Sequence, residues 1–186
     1  MNPILRDFPF EFETERLTIR GPMSGDGAEM RTAVYESQAE LKEWLPWAME
    51  ISTEEEYEAM MRNKHLEFLA RKDLQLLLFK KGTGTLVGSS GLHRINWDVP
   101  KVEIGYWVRS SFARQGYITE AVVAIINFAF NQIGAKRVEI RCDAKNSRSA
   151  TIPQRLGFIH EGTLRHEAVD HISGELRDTM IFAKTP

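Results

Sequence analysis

Residues 109–120 read Arg-Ser-Ser-Phe-Ala-Arg-Gln-Gly-Tyr-Ile-Thr-Glu and lie between two segments of different hydrophobic pattern. Residues 102–108 alternate like a sheet strand, whereas residues 119–133 are apolar nearly all round, which is typical of a buried helix. A loop that leads from a strand into a helix directs free backbone N–H groups and the positive end of the helix dipole at an anion. Gly116 lets the backbone approach closely, and Arg109 and Arg114 add charge suited to phosphate. An ordinary turn with solvated arginines fits the spacing equally well.

Outside this loop, period-two and period-3.6 patterns predict a mixed α/β domain. The predicted strands are 14–20, 74–79, 86–95, 102–108, 137–142, 158–165 and 176–183. The predicted helices are 26–44, a second from Ser52 or Thr53 to about 71, 119–133, and 147–156. Glu54, Glu55 and Glu56 suit the first turn of the second helix, and Gly134 closes the third. We assign residues 1–186 to one domain, with residues 1–13 as an N-terminal extension.

Composition excludes several classes of protein. The chain has 186 residues, 42% of them hydrophobic and 27% charged, which fits one globular domain and no disordered or fibrous class. The formal net charge of −2 argues against direct nucleic-acid binding. The weakly polar run 121–133 is too short to cross a membrane, and charges throughout residues 6–16 argue against a signal peptide. Cys142 stands alone, which agrees with a cytoplasmic protein.

A second group of polar residues follows the predicted strand 137–142. Asn146 begins the run Asn-Ser-Arg-Ser and can either cap the next helix or bind a ligand rich in amides, the cap being favoured. Gly157 and Phe158 read as a helix stop and a core aromatic. Neither motif decides the function by itself.

Four motifs taken together strongly resemble the GNAT superfamily of acetyl-CoA-dependent N-acetyltransferases. They are Val-Glu-Ile-Gly-Tyr-Trp-Val at 102–108, Arg-Gln-Gly-Tyr-Ile-Thr-Glu-Ala at 114–121, Asn146-x-x-Ser149 and Arg155-Leu-Gly-Phe158. The segments 14–20 and 44–47 (Trp-Leu-Pro-Trp) are similar to the Rim-type branch, the ribosomal-protein alanine N-acetyltransferases, so the resemblance covers about residues 14–183. It implies a single-domain GNAT-like α/β fold, with a mixed, mostly antiparallel twisted sheet of about six to seven strands and about four helices.

The resemblance implies an enzyme in which a primary amine attacks the acetyl-CoA thioester directly. The acceptor would be a protein N-terminus of the ribosomal-protein type, and the alternatives are a small amine such as a polyamine or antibiotic, or a module that binds CoA without turnover. The resemblance also suggests a homodimer, and it calls for no metal.

Individual roles follow from the same resemblance. The residues expected to bind acetyl-CoA are Trp107, Val108, Arg109, Arg114, Gln115, Gly116, Tyr117, Ile118, Thr119, Glu120, Asn146 and Ser149. The expected catalytic residues are Glu103, Ser149 and Asp170, with Glu103 as the base, acting directly or through water. The alternatives are that Glu103 is a solvent-facing strand residue and that Asp170, in the last hairpin, is a turn carboxylate.

The chain departs from the family pattern at three positions. The pyrophosphate loop of the family reads Gln or Arg, two residues, Gly, one residue, then Gly or Ala, whereas this chain has Ala113 first and Ile118 last. Pro153 stands where many members carry a tyrosine general acid. The backbone amides of the loop are unaffected, but the acid role must be filled otherwise or by solvent.

Charge is unevenly distributed along the chain. Residues 32–61 contain eight glutamates and one lysine, whereas residues 101–155 contain nine basic and four acidic side chains. The acidic segment would border the acceptor cleft in this fold and attract a cationic amine, or it is a solvated face.

Overall fold

The computed structural model describes residues 2–186. The strands are β1 Glu11–Glu13, β2 Leu17–Arg20, β3 Leu74–Lys80, β4 Leu86–Asn96, β5 Lys101–Val108, β6 Arg137–Asp143, β7 Ile159–Val169 and β8 Leu176–Lys184. The helices are α1 Gly27–Leu41, α2 Glu54–Leu69, α3 Tyr117–Phe128 and α4 Ser147–Arg155. A π-helical segment, Ala129–Ile133, continues α3 to Gly134. The predicted elements are therefore present, with ends that differ by a few residues.

The strands form one sheet in the order β1-β2-β3-β4-β5-β6-β8-β7. All neighbours are antiparallel except β5 and β6, which are parallel. This confirms the predicted fold class. The sheet has eight strands instead of six to seven, because β1, within the predicted extension, pairs with β2. Phe8, Phe10 and Phe12 pack against the core and hold this segment in place.

Helices cover both faces of the sheet. On β3, Leu76 and Leu78 pack in the cluster that contains α3, whereas Leu77 packs in the cluster of α1 and α2. Because both faces are covered, β3 is apolar almost without alternation. The helices α1 and α2 cross closely, since Gly27 lies against the backbone of Glu58. In residues 2–186, no helix is long and apolar enough to span a membrane.

Candidate active site

The parallel strands β5 and β6 separate soon after they begin. They pair only at Lys101 with Arg137, Val102 with Val138, and Glu103 with Glu139. Beyond Glu103, β5 continues to Val108 paired with β4, and β6 continues paired with β8. A gap therefore opens between the carboxyl ends of β5 and β6, and the backbone groups of β5 that face it are free of sheet partners. We call it the β5/β6 gap.

The amino terminus of α3 follows the end of β5 at this gap. Gly116 precedes the helix in the left-handed conformation, with φ of +82°. The Glu120 N–H donates the first bond of the helix, to the Gly116 carbonyl at 3.0 Å. The N–H groups of Tyr117, Ile118 and Thr119 therefore have no partner within the helix, and they offer an anion site.

Arg109 is committed to α1. Its side chain is only 13% exposed and donates to Glu29 Oε1 at 2.9 Å and to Glu36 Oε2 at 2.6 Å. The hydrogen bonds from Ser111, followed by those from Arg109, lower the pKa of the Glu36 carboxyl despite its partial burial. The Arg109 guanidinium was predicted to bind a phosphate. It anchors the loop 109–116 to α1 instead, because two carboxylates of α1 already accept its hydrogen bonds.

Glu120 anchors the other side of the loop. Its carboxylate accepts hydrogen bonds from Thr14 Oγ1 at 2.6 Å and from the backbone and side-chain nitrogens of Arg16 at 2.9 and 2.6 Å. Arg16 also donates to the Gln115 carbonyl at 3.0 Å and lies 4.3 Å from the centre of the Tyr117 ring. These contacts make Glu120 a residue that holds the loop in place.

Arg114 differs from Arg109. It has φ of +62° and an exposed side chain, and within residues 2–186 it makes no ion pair. Gln115 donates to the Ser111 carbonyl at 2.8 Å, which closes the loop. Of the two loop arginines, Arg114 is the one whose charge is available to an anion.

The opposite wall of the gap is α4, which is linked to β5 by Tyr106. Asn146 caps α4 by accepting from the Ser149 N–H at 3.0 Å, as its sequence position predicted. Pro153 has no N–H to donate to the carbonyl four residues earlier, so the Ser149 carbonyl accepts from Tyr106 Oη at 2.8 Å. Burial raises the pKa of the Tyr106 phenol, so it stays neutral. No sequence pattern singled out Tyr106 as a site residue, although a proline within a helix signals a free carbonyl one turn earlier.

A cavity of about 520 Å³ lies between α1, α2 and the sheet. Gly105, Tyr106 and Trp107 bring β5 into its lining, so the cavity adjoins the strand that borders the gap. The other lining residues are Met30, Val34, Leu45, Trp47, Ser52, Glu56, Tyr57, Met60, Lys64, Gln75, Ser89, Ser90 and His93. The cavity is thus mainly apolar, with a few polar groups.

Glu103 lies beside the cavity and is absent from the residues that line it. Its side chain is 18% exposed and lies 3.5 Å from Arg94 Nε. Burial raises the pKa of its carboxyl, while Arg94 and Arg141 oppose the rise. A carboxyl with a raised pKa binds a proton more readily, which keeps Glu103 a candidate for proton transfer.

Asp170 lies at the turn between β7 and β8. Its Oδ1 accepts from the backbone of Ile172 and Ser173 at 2.8 and 2.7 Å, and its Oδ2 accepts from Arg177. The backbone N–H groups of Ser173 and Ile172 lower the pKa of this carboxyl, which makes it a poor base. The contacts are those of a turn carboxylate, and the catalytic role of Asp170 stays a prediction that they do not favour.

Four of the eight glutamates of the acidic segment hold local structure, and one of these, Glu56, closes the capping box at the start of α2. Glu36 and Glu40 bind the loop, and Glu58 accepts from the backbone of Gly25 and Gly27. Hydrogen bonds from Arg62 and these two glycines lower the pKa of Glu58 to about 2. Among the eight, Glu56 lines the cavity.

Residues 2–186 contain no group of three or more His, Cys, Asp or Glu side chains arranged to hold a metal ion. Cys142 is buried, and its burial raises the pKa of the thiol.

Some of the residues predicted from the sequence lie together around the β5/β6 gap. They belong to the loop 109–116, to the start of α3 and to the start of α4.

Comparisons with known proteins agree with this geometry. Residues 16–159 match the family model described as an acetyltransferase (GNAT) domain. The Bacillus subtilis protein named "Putative ribosomal N-acetyltransferase YdaF" is 30% identical over 152 residues, 81% of this chain and 82% of that protein. The ribosomal-protein-serine acetyltransferase of Escherichia coli is 26% identical over 144 residues, 77% of this chain and 78% of that one.

A solved structure with a similar fold is that of the microcin C7 self-immunity acetyltransferase MccE in complex with acetyl-CoA and AMP. The TM-score is 0.87 at 20% identity, and the match covers 96% of this chain and 98% of that one. At this identity the likeness concerns the fold alone.

Proposed function

The chain belongs to the GNAT acetyltransferase family, and from that premise we propose that it transfers the acetyl group of acetyl-CoA to the free amine of a protein N-terminus. The observation that carries the proposal is the β5/β6 gap, which ends at the free N–H groups of α3 and adjoins the cavity. The edge of β5 at the gap would thus hold an extended ligand, and the cavity could receive a second molecule.

The residues around the gap suit acetyl-CoA, which supplies an activated acetyl group. The N–H groups of residues 117–119 and the Arg114 guanidinium would bind the pyrophosphate. The Arg109 N–H donates to the Val87 carbonyl of β4 at 2.8 Å, so the alternation of an antiparallel ladder directs the backbone groups of Trp107 at β4 and those of Val108 at the gap. The Val108 backbone would hydrogen-bond the amide-rich arm, and Asn146 and Ser149 lie on the opposite wall. Arg109 and Glu120 contribute by holding the loop. The MccE complex with acetyl-CoA shows that this fold can hold the same molecule in another protein.

A protein N-terminus as acceptor is supported by the names of the two relatives, both of which refer to ribosomal substrates. The apolar cavity would hold the first side chain of such a peptide, and Glu56 would attract its ammonium group. A ribosomal substrate would place the reaction in the cytoplasm. The homodimer stays a prediction.

The acceptor amine must lose a proton before it can attack. Glu103 is the base proposed from the sequence, and its position beside the cavity means that a proton must reach it through water or another side chain. Once the amine is neutral, its attack depends mainly on the position of the acetyl carbonyl of acetyl-CoA. A further catalytic side chain contributes less.

We expect thiol release when the protein is given acetyl-CoA and short peptides with a free amino terminus. Release is measured with a thiol reagent, and acetylation of the first residue is located by mass spectrometry. The same peptides with a blocked terminus are the control and should give none. If polyamines or amine antibiotics were acetylated faster than the peptides, the acceptor would be a small amine instead of a protein N-terminus. Binding of acetyl-CoA without turnover on any amine would contradict catalysis.

Gly116→Val should weaken acetyl-CoA binding at least tenfold, because a β-branched residue strains the backbone at φ of +82° and displaces the N–H groups that follow it. Calorimetry measures the affinity. Gly82→Val is the matched control, since Gly82 has φ of +81° in a hairpin turn with no atom within 4 Å of an added Cβ. It should lose similar stability and keep its affinity. Equal affinity in parent and Gly116→Val would mean that the anion site lies elsewhere.

A further inference from the structure

His93 lies on β4 in the lining of the cavity and is held by an aspartate. Its Nδ1 is 2.7 Å from Asp73 Oδ2, and its side chain is 33% exposed. Asp73 lies just before the first residue of β3, and β3 is the neighbour of β4 in the sheet. Because an ionised carboxylate only accepts hydrogen bonds, Nδ1 donates to Asp73, and in the neutral ring the lone pair is therefore on Nε2.

Two glycines leave room for the Nε2 edge of the ring. Gly91 and Gly105 face each other across β4 and β5. A Cβ built on Gly91 would lie 2.8 Å from His93 Nε2, and one on Gly105 would lie 3.6 Å from it. Gly105 itself lines the cavity. The ring therefore lies across the glycine pair at the cavity floor, and within residues 2–186 Nε2 has no hydrogen-bond partner.

Charged groups from each neighbouring element surround the pair. Lys64 of α2 lies 3.6 Å from Asp73 and 2.7 Å from Glu67. Burial raises the pKa of Asp73, but the hydrogen bond and charge of His93, together with Lys64, outweigh it and lower the pKa overall. Asp73 thus stays ionised.

On the other side of His93, Glu103 of β5 is its register partner. Arg94 follows His93 on β4, and Arg141 and Glu139 of β6 act on Glu103 in turn. His93 is therefore the titratable group between Glu103 and the cavity, with a carboxylate on either side of it.

We propose that His93 Nε2 accepts the proton of the acceptor amine, that Asp73 is a positioning residue for the ring, and that Glu103 stabilises the imidazolium by its charge. This rests on the proposed function. One ammonium proton passes to Nε2 and frees the nitrogen lone pair. The N–C bond then forms as the C–S bond breaks, and the second nitrogen proton leaves with the thiolate as thiol. His93 returns its proton to solvent, so the products are amide, thiol and one proton.

The test compares pH profiles of kcat at saturating substrates for the parent, His93→Gln, Asp73→Asn and Glu103→Gln. We expect His93→Gln to lower kcat by ~10²–10⁴-fold. The variant should also lose the acid limb of the profile, which is the fall in kcat at low pH that we expect in the parent. Removing a negative neighbour destabilises the imidazolium, so Asp73→Asn and Glu103→Gln should move the limb to lower pH and keep it. Added imidazole should partly restore His93→Ala. His160→Gln, which changes an exposed histidine of β7, is the control and should match the parent.

Two results separate this inference from the proposed function. An active parent whose acid limb survives in His93→Gln and disappears in Glu103→Gln would make Glu103 the direct base and overturn the inference alone. A parent that transfers acetyl to no amine would overturn the proposed function and the inference with it. The acetyl-CoA affinity of His93→Gln should equal that of the parent, and the variant should still unfold in one cooperative transition, which excludes misfolding as the cause of a slow variant.

Discussion

Arg109→Ala is expected to lower the free energy of unfolding by about 2–3 kcal/mol and to weaken acetyl-CoA binding by tenfold or more. The largely buried guanidinium donates to both Glu29 and Glu36, and a hydrogen bond between charged groups contributes about 1.5–3 kcal/mol. The two carboxylates are each about one-third exposed, and in the variant they regain hydrogen bonds to water. The loss of stability is therefore less than the sum of the two hydrogen-bond contributions. Chemical denaturation measures the stability, and calorimetry measures the affinity.

Arg114→Ala is the matched control for that variant. Its guanidinium makes no ion pair in residues 2–186, so the stability should stay within about 0.5 kcal/mol of the parent while acetyl-CoA affinity falls. A stable Arg109→Ala variant with parental affinity would mean that the loop holds its shape without α1.

The stability lost in Arg109→Ala should also depend on pH. The folded-state pKa of Glu36 is lowered, so its contribution is complete above its unfolded pKa of about 4.3 and disappears as the pH falls through the lower folded value. The difference between parent and variant should therefore be largest near neutral pH and shrink below about pH 4.

Gly27→Ala should destabilise the protein by about 2 kcal/mol and alter the cavity proposed to receive the acceptor. An added Cβ would lie 2.5 Å from both the Cα and the backbone nitrogen of Glu58, and neither atom can rotate away. Overpacking of this kind costs about 1–3 kcal/mol. Because α1 and α2 form the cavity wall, their separation should raise the KM for the acceptor more than the KM for acetyl-CoA.

The control is Gly162→Ala on β7, where no atom lies within 4 Å of the added Cβ. Its stability should change by no more than about 0.5 kcal/mol. A Gly27→Ala variant as stable as this control would show that the two helices can separate without loss.

The N-terminal extension shows where sequence patterns stopped being informative. Phe8, Phe10 and Phe12 alternate with other residues, but the three-residue strand β1 is too short for a periodic signal. Its pairing with β2 depends on a partner strand that the pattern of residues 1–13 does not contain.

Apart from β1, the sequence by itself determined the helices and strands, their order and the fold class. The start of α2 at Thr53, with glutamates in its first turn, and the apolar surface of α3 are local, since the residues concerned lie within a few positions of one another. The motifs around Gly116 and Asn146 could be placed at element boundaries for the same reason. The acetyltransferase family could therefore be inferred before any contact was known.

Only the tertiary structure decided which side chains are free to act. Arg109 meets Glu36 across 73 positions, Arg16 meets Glu120 across 104, and His93 meets Asp73 across 20. No local pattern encodes such pairs, because a charged side chain looks the same in the sequence whether folding gives it a partner or leaves it open to a ligand. The loop arginine that remains available and the histidine at the cavity floor were therefore visible only once the sheet had brought these distant residues together.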